Sequence, residues 1–98
     1  MTIHKRRNGA ALTVALEGRV DTTTAPELEA ALGDIPQDVS ELTIDCSGMA
    51  YISSAGLRVL LMTQRAMRDR GSMKLTHLSD VVREVLEVTG FTDFLTIE

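Results

Sequence analysis

The order of hydrophobic periods along the chain narrows the possible folds more than any other feature. Stretches of period two, which suit strands, alternate with stretches of period 3.6, which suit helices, over short connections. Leu12, Val14 and Leu16 alternate with Thr13, Ala15 and Glu17, the pattern of a half-buried strand. Asn8-Gly9 ahead of them is a turn dipeptide in which both residues tolerate positive φ, so Thr2 to Arg7 is the expected hairpin partner. Ala25, Leu28, Ala31 and Leu32 then repeat at helical spacing. Thr24 and Glu27 stand in capping-box register, Pro26 fits a first turn, and Gly33-Asp34 with Pro36 end the helix. Leu42 to Cys46 is short and β-prone. A second helix is expected from near Ser53-Ser54 to Arg70, stopped by Gly71, with Leu57, Leu60, Leu61 and Met67 facing inward. Met73 to Thr76 reads as a strand, and a third helix runs from near Ser79-Asp80 to Thr89-Gly90 with Val82, Val85 and Leu86 buried. Phe94 to Ile97 is an expected final edge strand.

Strands joined through a helix pair in parallel by a right-handed crossover. The order β-β-α-β-α-β-α-β therefore predicts an α/β sandwich. It would be one domain over residues 1–98, with a mixed sheet of four to five strands and three to four α-helices packed on it.

Composition removes several functions. Tyr51, Phe91 and Phe94 are the only aromatics, too few for a base-stacking platform, and the net charge of −4 opposes phosphate backbones, so no nucleic acid partner is expected. Cys46 is the single cysteine, which leaves no internal disulfide and no metal-ligand spacing. No run approaches the ~20 apolar residues of a membrane span, nor does an apolar run follow Met1 to Arg7 as in a secretory leader; a cytoplasmic location is expected. There is no Gly-x-x-x-x-Gly-Lys loop and no Gly-x-Ser-x-Gly elbow, and neither His4 nor His77 is spaced as a base for a serine. Neither enzymatic activity nor a cofactor is expected.

The informative segment runs from Leu42 to Leu61. Ser54 is expected at the N-cap of the second helix, beyond the carboxyl end of a strand, where open α/β sheets place their sites. Plain N-capping is the ordinary use of such a serine. The alternative is a reactive hydroxyl, because unpaired helix N–H groups tolerate an anion there and Ala55 and Gly56 leave access to it. Asp45 ends the preceding strand and is expected to accept hydrogen bonds from loop amides around Ser47 and Gly48. Asp21 is placed to anchor the loop ahead of Thr24. Arg58, four residues beyond Ser54, either reaches a phosphate on it or is a solvated helix arginine. Met62 either packs inward or joins a partner surface.

Asp45-x-Ser47-Gly48 followed by Tyr51-Ile52-Ser53-Ser54-Ala55-Gly56-Leu57 resembles the signature of the bacterial anti-sigma factor antagonists, the small stand-alone STAS domains. Gly18-Arg19-Val20-Asp21 is similar to that family's Gly-x-apolar-Asp element, and Thr89-Gly90-Phe91 to its C-terminal element, so the resemblance spans nearly the whole chain. It implies a STAS-like fold and a partner switch. The unphosphorylated protein would bind an anti-sigma factor that is also a serine protein kinase with a histidine-kinase-like ATPase fold, and so free a sigma factor. Phosphorylation of one serine, which falls on Ser54, would end the interaction, and a PP2C-like phosphatase would restore it. The resemblance places Asp21 near the acceptor serine; together with the residue reading, the expected partner-binding set is Asp21, Thr22, Ser53, Ala55, Gly56, Arg58 and Met62, with Asp45, Ser47 and Gly48 supporting the site. One departure stands out. Where well-known members carry Asp-Ser-Ser or Asp-Ser-Thr, this chain has Ser53-Ser54-Ala55, which makes Ser53 a competing acceptor. Similar domains also serve as scaffold or adaptor subunits of stress-signalling, secretion-regulating or lipid-transport complexes, the alternative output.

Overall fold

The computed structural model describes all 98 residues. Strands β1 (Thr2–Asn8) and β2 (Ala11–Val20) form the antiparallel hairpin. Asn8 pairs with Ala11, so the two loop residues are Gly9 and Ala10, one position later than the dipeptide suggested; Gly9 alone there takes a positive φ, +64°. Helix α1 (Ala25–Gly33) leads to β3 (Glu41–Ile52), α2 (Ser54–Arg68) leads to β4 (Ser72–Thr76), and α3 (Asp80–Thr89) follows. The strands lie in the order β1-β2-β3-β4, and the β2–β3 and β3–β4 pairs are parallel, as the crossovers require. The sheet is thus mixed and four-stranded, with three α-helices.

Register explains the core. Leu12, Leu42 and Met73 form one row across β2, β3 and β4, and Val14, Ile44 and Leu75 the next; all are buried. Thr13, Thr43 and Lys74 point to the other face and stay half-exposed. The helices cover the apolar face through residues such as Leu28, Leu57, Leu60 and Leu86, giving one continuous core of 22 residues. The opposite face of the sheet is polar and open.

Several boundaries differ from expectation for definable reasons. Strand β3 does not end at Cys46 but runs on to Ile52. Its register against β2 shifts between Ala15 and Glu17 and again between Gly18 and Arg19, and each shift inserts an extra residue into β3. The inward positions therefore run Leu42, Ile44, Cys46 and then Met49 and Ile52, which breaks the period of two. β4 pairs with β3 only as far as Asp45 opposite Thr76, so the second half of β3 is laddered to β2 alone, and α3 packs beside β3. The Thr24–Glu27 capping box does not form. Thr24 already has helical dihedrals, and its hydroxyl turns back to accept from the Asp21 amide (2.9 Å) and donate to the Arg19 carbonyl (2.9 Å). Helix α2 stops at Arg68 rather than Arg70. Phe94 to Ile97 is not a strand. A 3-10 turn occupies Phe91–Asp93 and Leu95 inserts into the core, so only Ile97 reaches the sheet, in a single parallel bridge to Leu75. The termini of α3 match the sequence: the Ser79 hydroxyl accepts from the Val82 amide at 3.2 Å, and Gly90 ends the helix at φ +80°.

Cys46 lies fully buried under this layer, and burial pushes its thiol up to about 12. Since the thiolate is the reactive species, an aromatic disulfide reagent at pH 8 should label the native protein at the rate of unfolding and the urea-unfolded protein immediately. Rapid labelling of native protein would contradict this burial.

Candidate functional site

The parallel pairing of β2 and β3 builds the site. Arg19 is opposite Tyr51 and Val20 opposite Ile52, so Asp21 and Ser53 are the next residues out of two neighbouring strands. The Ser53 amide donates to the Val20 carbonyl at 2.8 Å, which ties the entry of α2 to the exit of β2. Asp21-Thr22 and Ser53-Ser54, far apart in sequence, thereby meet at the carboxyl end of the sheet.

That bond also decides which serine caps the helix. Ser53, not Ser54, is the N-cap residue, with extended dihedrals (φ −96°, ψ 175°), and Ser54 is the first helical residue. The Ser53 side chain makes no capping bond; its Oγ is buried without a partner, whereas Ser54 is exposed. No acidic residue occupies the first turn of α2, so the positive end of the helix dipole at Ser54 is not neutralised locally. Arg58 is exposed four residues on, the spacing that brings a side chain onto the same helix face. Met62, one further turn along, is 56% exposed. With Leu32, Ile35 and Val59 it lines a shallow groove of about 180 Å³ between α1 and α2. The larger cleft, about 570 Å³, lies at the other end of the sheet among Glu41, Arg68 and Lys74. Ser54 lines neither cleft and stands on an open surface.

Asp21 shapes the adjoining loop. Its Oδ1 accepts from the Thr24 amide at 3.2 Å and the Thr23 amide at 3.0 Å. The Thr24 amide is the main reason its carboxyl is held below the usual carboxylate range; burial opposes it, and the Thr23 amide, the Thr24 hydroxyl and Arg19 add to it. Asp21 is therefore anionic at neutral pH. Arg19 Nε stands 3.9 Å from its other oxygen, and the same guanidinium lies over the Tyr51 ring at 4.6 Å from the centroid. This Tyr51–Arg19–Asp21 chain went unread in the sequence, because it exists only once the β2–β3 register is known. Thr22 is exposed at the loop's tip.

Asp45, Ser47 and Gly48 are not brought to Ser54. Six residues of strand lie between Asp45 and Ile52, an extended path of roughly 20 Å. They hold the first bulge of β3 instead. The Ser47 amide donates to Asp45 Oδ1 at 3.0 Å and holds that carboxyl below its ordinary range, with help from His77, whose Nδ1 is 3.4 Å away. His77 follows β4 in a left-handed conformation (φ +58°). A Cβ on Gly48 would fall 2.8 Å from Glu17 Cγ and 3.1 Å from the Leu16 carbonyl oxygen, so the two strands approach too closely there for a side chain.

Ala55 is half-buried, and Gly56 belongs to the joint beneath the site rather than to its surface. A Cβ on Gly56 would lie 2.5 Å from Val20 Cγ1 and 2.9 Å from Ile52 Cγ1, both on fully buried side chains. An exposed helical Gly→Ala change gains up to about 1 kcal/mol. Here overpacking of about 1–3 kcal/mol opposes that gain. Gly56→Ala should therefore destabilise by about 1–2 kcal/mol, read as a lower urea midpoint with unchanged slope.

The family model described as "Mlab, STAS domain" matches residues 3–97. BtrV of Bordetella bronchiseptica is 35% identical over 88 residues, covering 88% of this chain and 76% of that protein. The anti-sigma-B factor antagonist of Listeria monocytogenes is 33% identical over 98 residues, covering 96% and 84% respectively. Among solved structures, an anti-sigma factor antagonist from Mycobacterium paratuberculosis matches with a TM-score of 0.88 at 25% identity, over 98% of this chain and 83% of that one. The fold is also that of SpoIIAA in its unphosphorylated form, with a TM-score of 0.81 at 18% identity over 99% and 88% of the two chains.

Proposed function

The chain belongs to the STAS domain family, and on that premise we propose that it is an anti-sigma factor antagonist switched by phosphorylation of Ser54. The unphosphorylated form binds an anti-sigma factor that is also a serine kinase and releases the sigma factor. The kinase transfers the γ-phosphoryl group of ATP to Ser54 Oγ, and a PP2C-like phosphatase removes it. One observation carries this reading above the others: of the two adjacent serines, Ser54 is exposed at an unneutralised helix N-terminus while the Ser53 hydroxyl is buried.

The physics needs no large conformational change. A phosphate adds about −1.5 to −2 charges at one point. Within the antagonist, the free N–H groups of the first turn and Arg58 offset that charge. Serine at position 53, in place of the family's acid, removes a carboxylate that would repel the phosphate from the helix entry. A partner surface fitted to a neutral hydroxyl has no such compensation.

The test is incubation with the cognate kinase and ATP, then mass spectrometry of the peptide from Tyr51 to Arg58. Phosphate on Ser54 is expected. Phosphate on Ser53 would move the site, and none on either would favour a scaffold or adaptor role. No helix of the fold is long and apolar enough to cross a membrane. A cytoplasmic location follows from this function, since its partner acts on a sigma factor.

A further inference from the structure

Helix α3 carries three parallel strips, each repeating at i, i+4, i+7 or part of it. Val82 and Leu86 face the core and are buried. Beside them run Val81, Val85 and Val88, of which Val81 is 57% and Val88 80% exposed. Beyond the valines run Asp80, Glu84 and Glu87, all exposed. Asp80 suits the first turn of the helix, but nothing in the fold calls for Glu84 and Glu87. None of the strip's carboxylates forms a salt bridge within the chain. Carboxylates three and four residues apart repel one another, and Glu87 sits in the last turn, where the helix dipole is negative and no basic residue stands. Exposed Arg83 flanks the strip one turn earlier without forming a salt bridge to it, which leaves the strip net acidic.

From this pairing of strips we propose that the outer side of α3 is a second docking surface, for a cationic amphipathic helix of a partner protein. Charge complementarity selects that occupant. The valines would take the apolar side of the incoming helix, and its Lys or Arg residues would reach Asp80, Glu84 and Glu87. A second copy packed symmetrically on the same strips would set acid against acid, and an anionic lipid surface would be repelled. The α3 face spans about 15 Å, well short of a standard interface, so the complex is weak and exchanges rapidly. The proposal stands apart from the switch at Ser54 and does not depend on it.

The experiment is a backbone-amide NMR titration of the full chain with an 18-residue Leu/Lys amphipathic peptide. A Leu/Glu peptide of the same pattern and a Lys/Ser peptide of the same charge serve as controls. Shifts confined to α3 and its flanks are expected with Leu/Lys alone. Glu84→Lys/Glu87→Lys should weaken that binding at least tenfold and allow the Leu/Glu peptide to bind. Val88→Ser should weaken it severalfold, with every variant melting within a few degrees of the parent. Equal binding of the Lys/Ser peptide, shifts centred elsewhere, or indifference to charge reversal would overturn the proposal. So would a parent protein that sediments as a dimer which Val88→Ser dissolves, because the occupant would then be a second copy.

Discussion

Replacing Gly71 with alanine should lower the melting temperature by roughly 15–25 °C, a large effect for the addition of one methyl group. Gly71 joins α2 to β4 at φ +153°, a region side chains rarely adopt. A Cβ there would lie 1.9 Å from the Ser40 carbonyl oxygen and 2.7 Å from its carbon. Ser40 cannot retreat. Its oxygen accepts from the Ser72 amide at 2.8 Å and its amide donates to Ala10 at 2.9 Å, so three strands are tied at that point. The clash is with backbone rather than with a flexible side chain, and relief requires the α2–β4 turn to move, at a cost of about 3–5 kcal/mol. Gly33→Ala is the matched control: nothing lies within 4 Å of its added Cβ, and its melting point should hold or rise slightly. Circular dichroism melts of the two variants decide the matter, and equal melting points would contradict the account of the turn.

Ser54→Asp should leave the melting temperature within a few degrees of the parent yet reduce affinity for the anti-sigma partner several-hundred-fold. The fold tolerates the charge because a carboxylate in a first helical turn is favoured by about 0.3–1 kcal/mol. The partner does not, because an uncompensated charge in an interface fitted to a hydroxyl costs about 3–4 kcal/mol, and every 1.4 kcal/mol is tenfold. Ser54→Ala should bind the unphosphorylated protein's partner normally and resist the kinase. Ser53→Ala should still be phosphorylated, since its hydroxyl is buried in the parent. Isothermal titration with each variant gives the comparison; equal affinities of Ser54→Asp and Ser54→Ala would refute a local charge switch.

What the sequence disclosed follows the range of the interactions concerned. The ends of α3 were legible because Ser79 and Gly90 act on their own helix. Parallel pairing of β2 and β3 was legible because a helix between strands leaves few alternatives. The second half of β3 was not, because two inserted residues carry the buried set from Cys46 to Met49 and Ile52 and erase the alternation that marks a strand. Ser53 and Ser54 suit an N-cap equally well by type. The choice between them rests on the Ser53–Val20 hydrogen bond, which joins residues 33 positions apart, so the cap falls on Ser53, one residue ahead of the expected Ser54. The hydrogen bond from the Ser47 amide to Asp45 is local and legible from the spacing, but the sequence does not show that Asp45, Ser47 and Gly48 serve a bulge some way from the serine rather than the serine itself. The same long-range register hid the contact between Arg19 and Tyr51.

The half of β3 that carries the site has a ladder on one side only. In the first half of the strand, an amide must break free of a sheet hydrogen-bonded on both flanks before it can exchange with solvent. From Cys46 onward, one flank is held by the ladder to β2, without a β4 partner. Opening of that segment is then a smaller event than global unfolding, and its amides should exchange with deuterium sooner than those near Ile44. The strand thus has a stiff root and a looser tip.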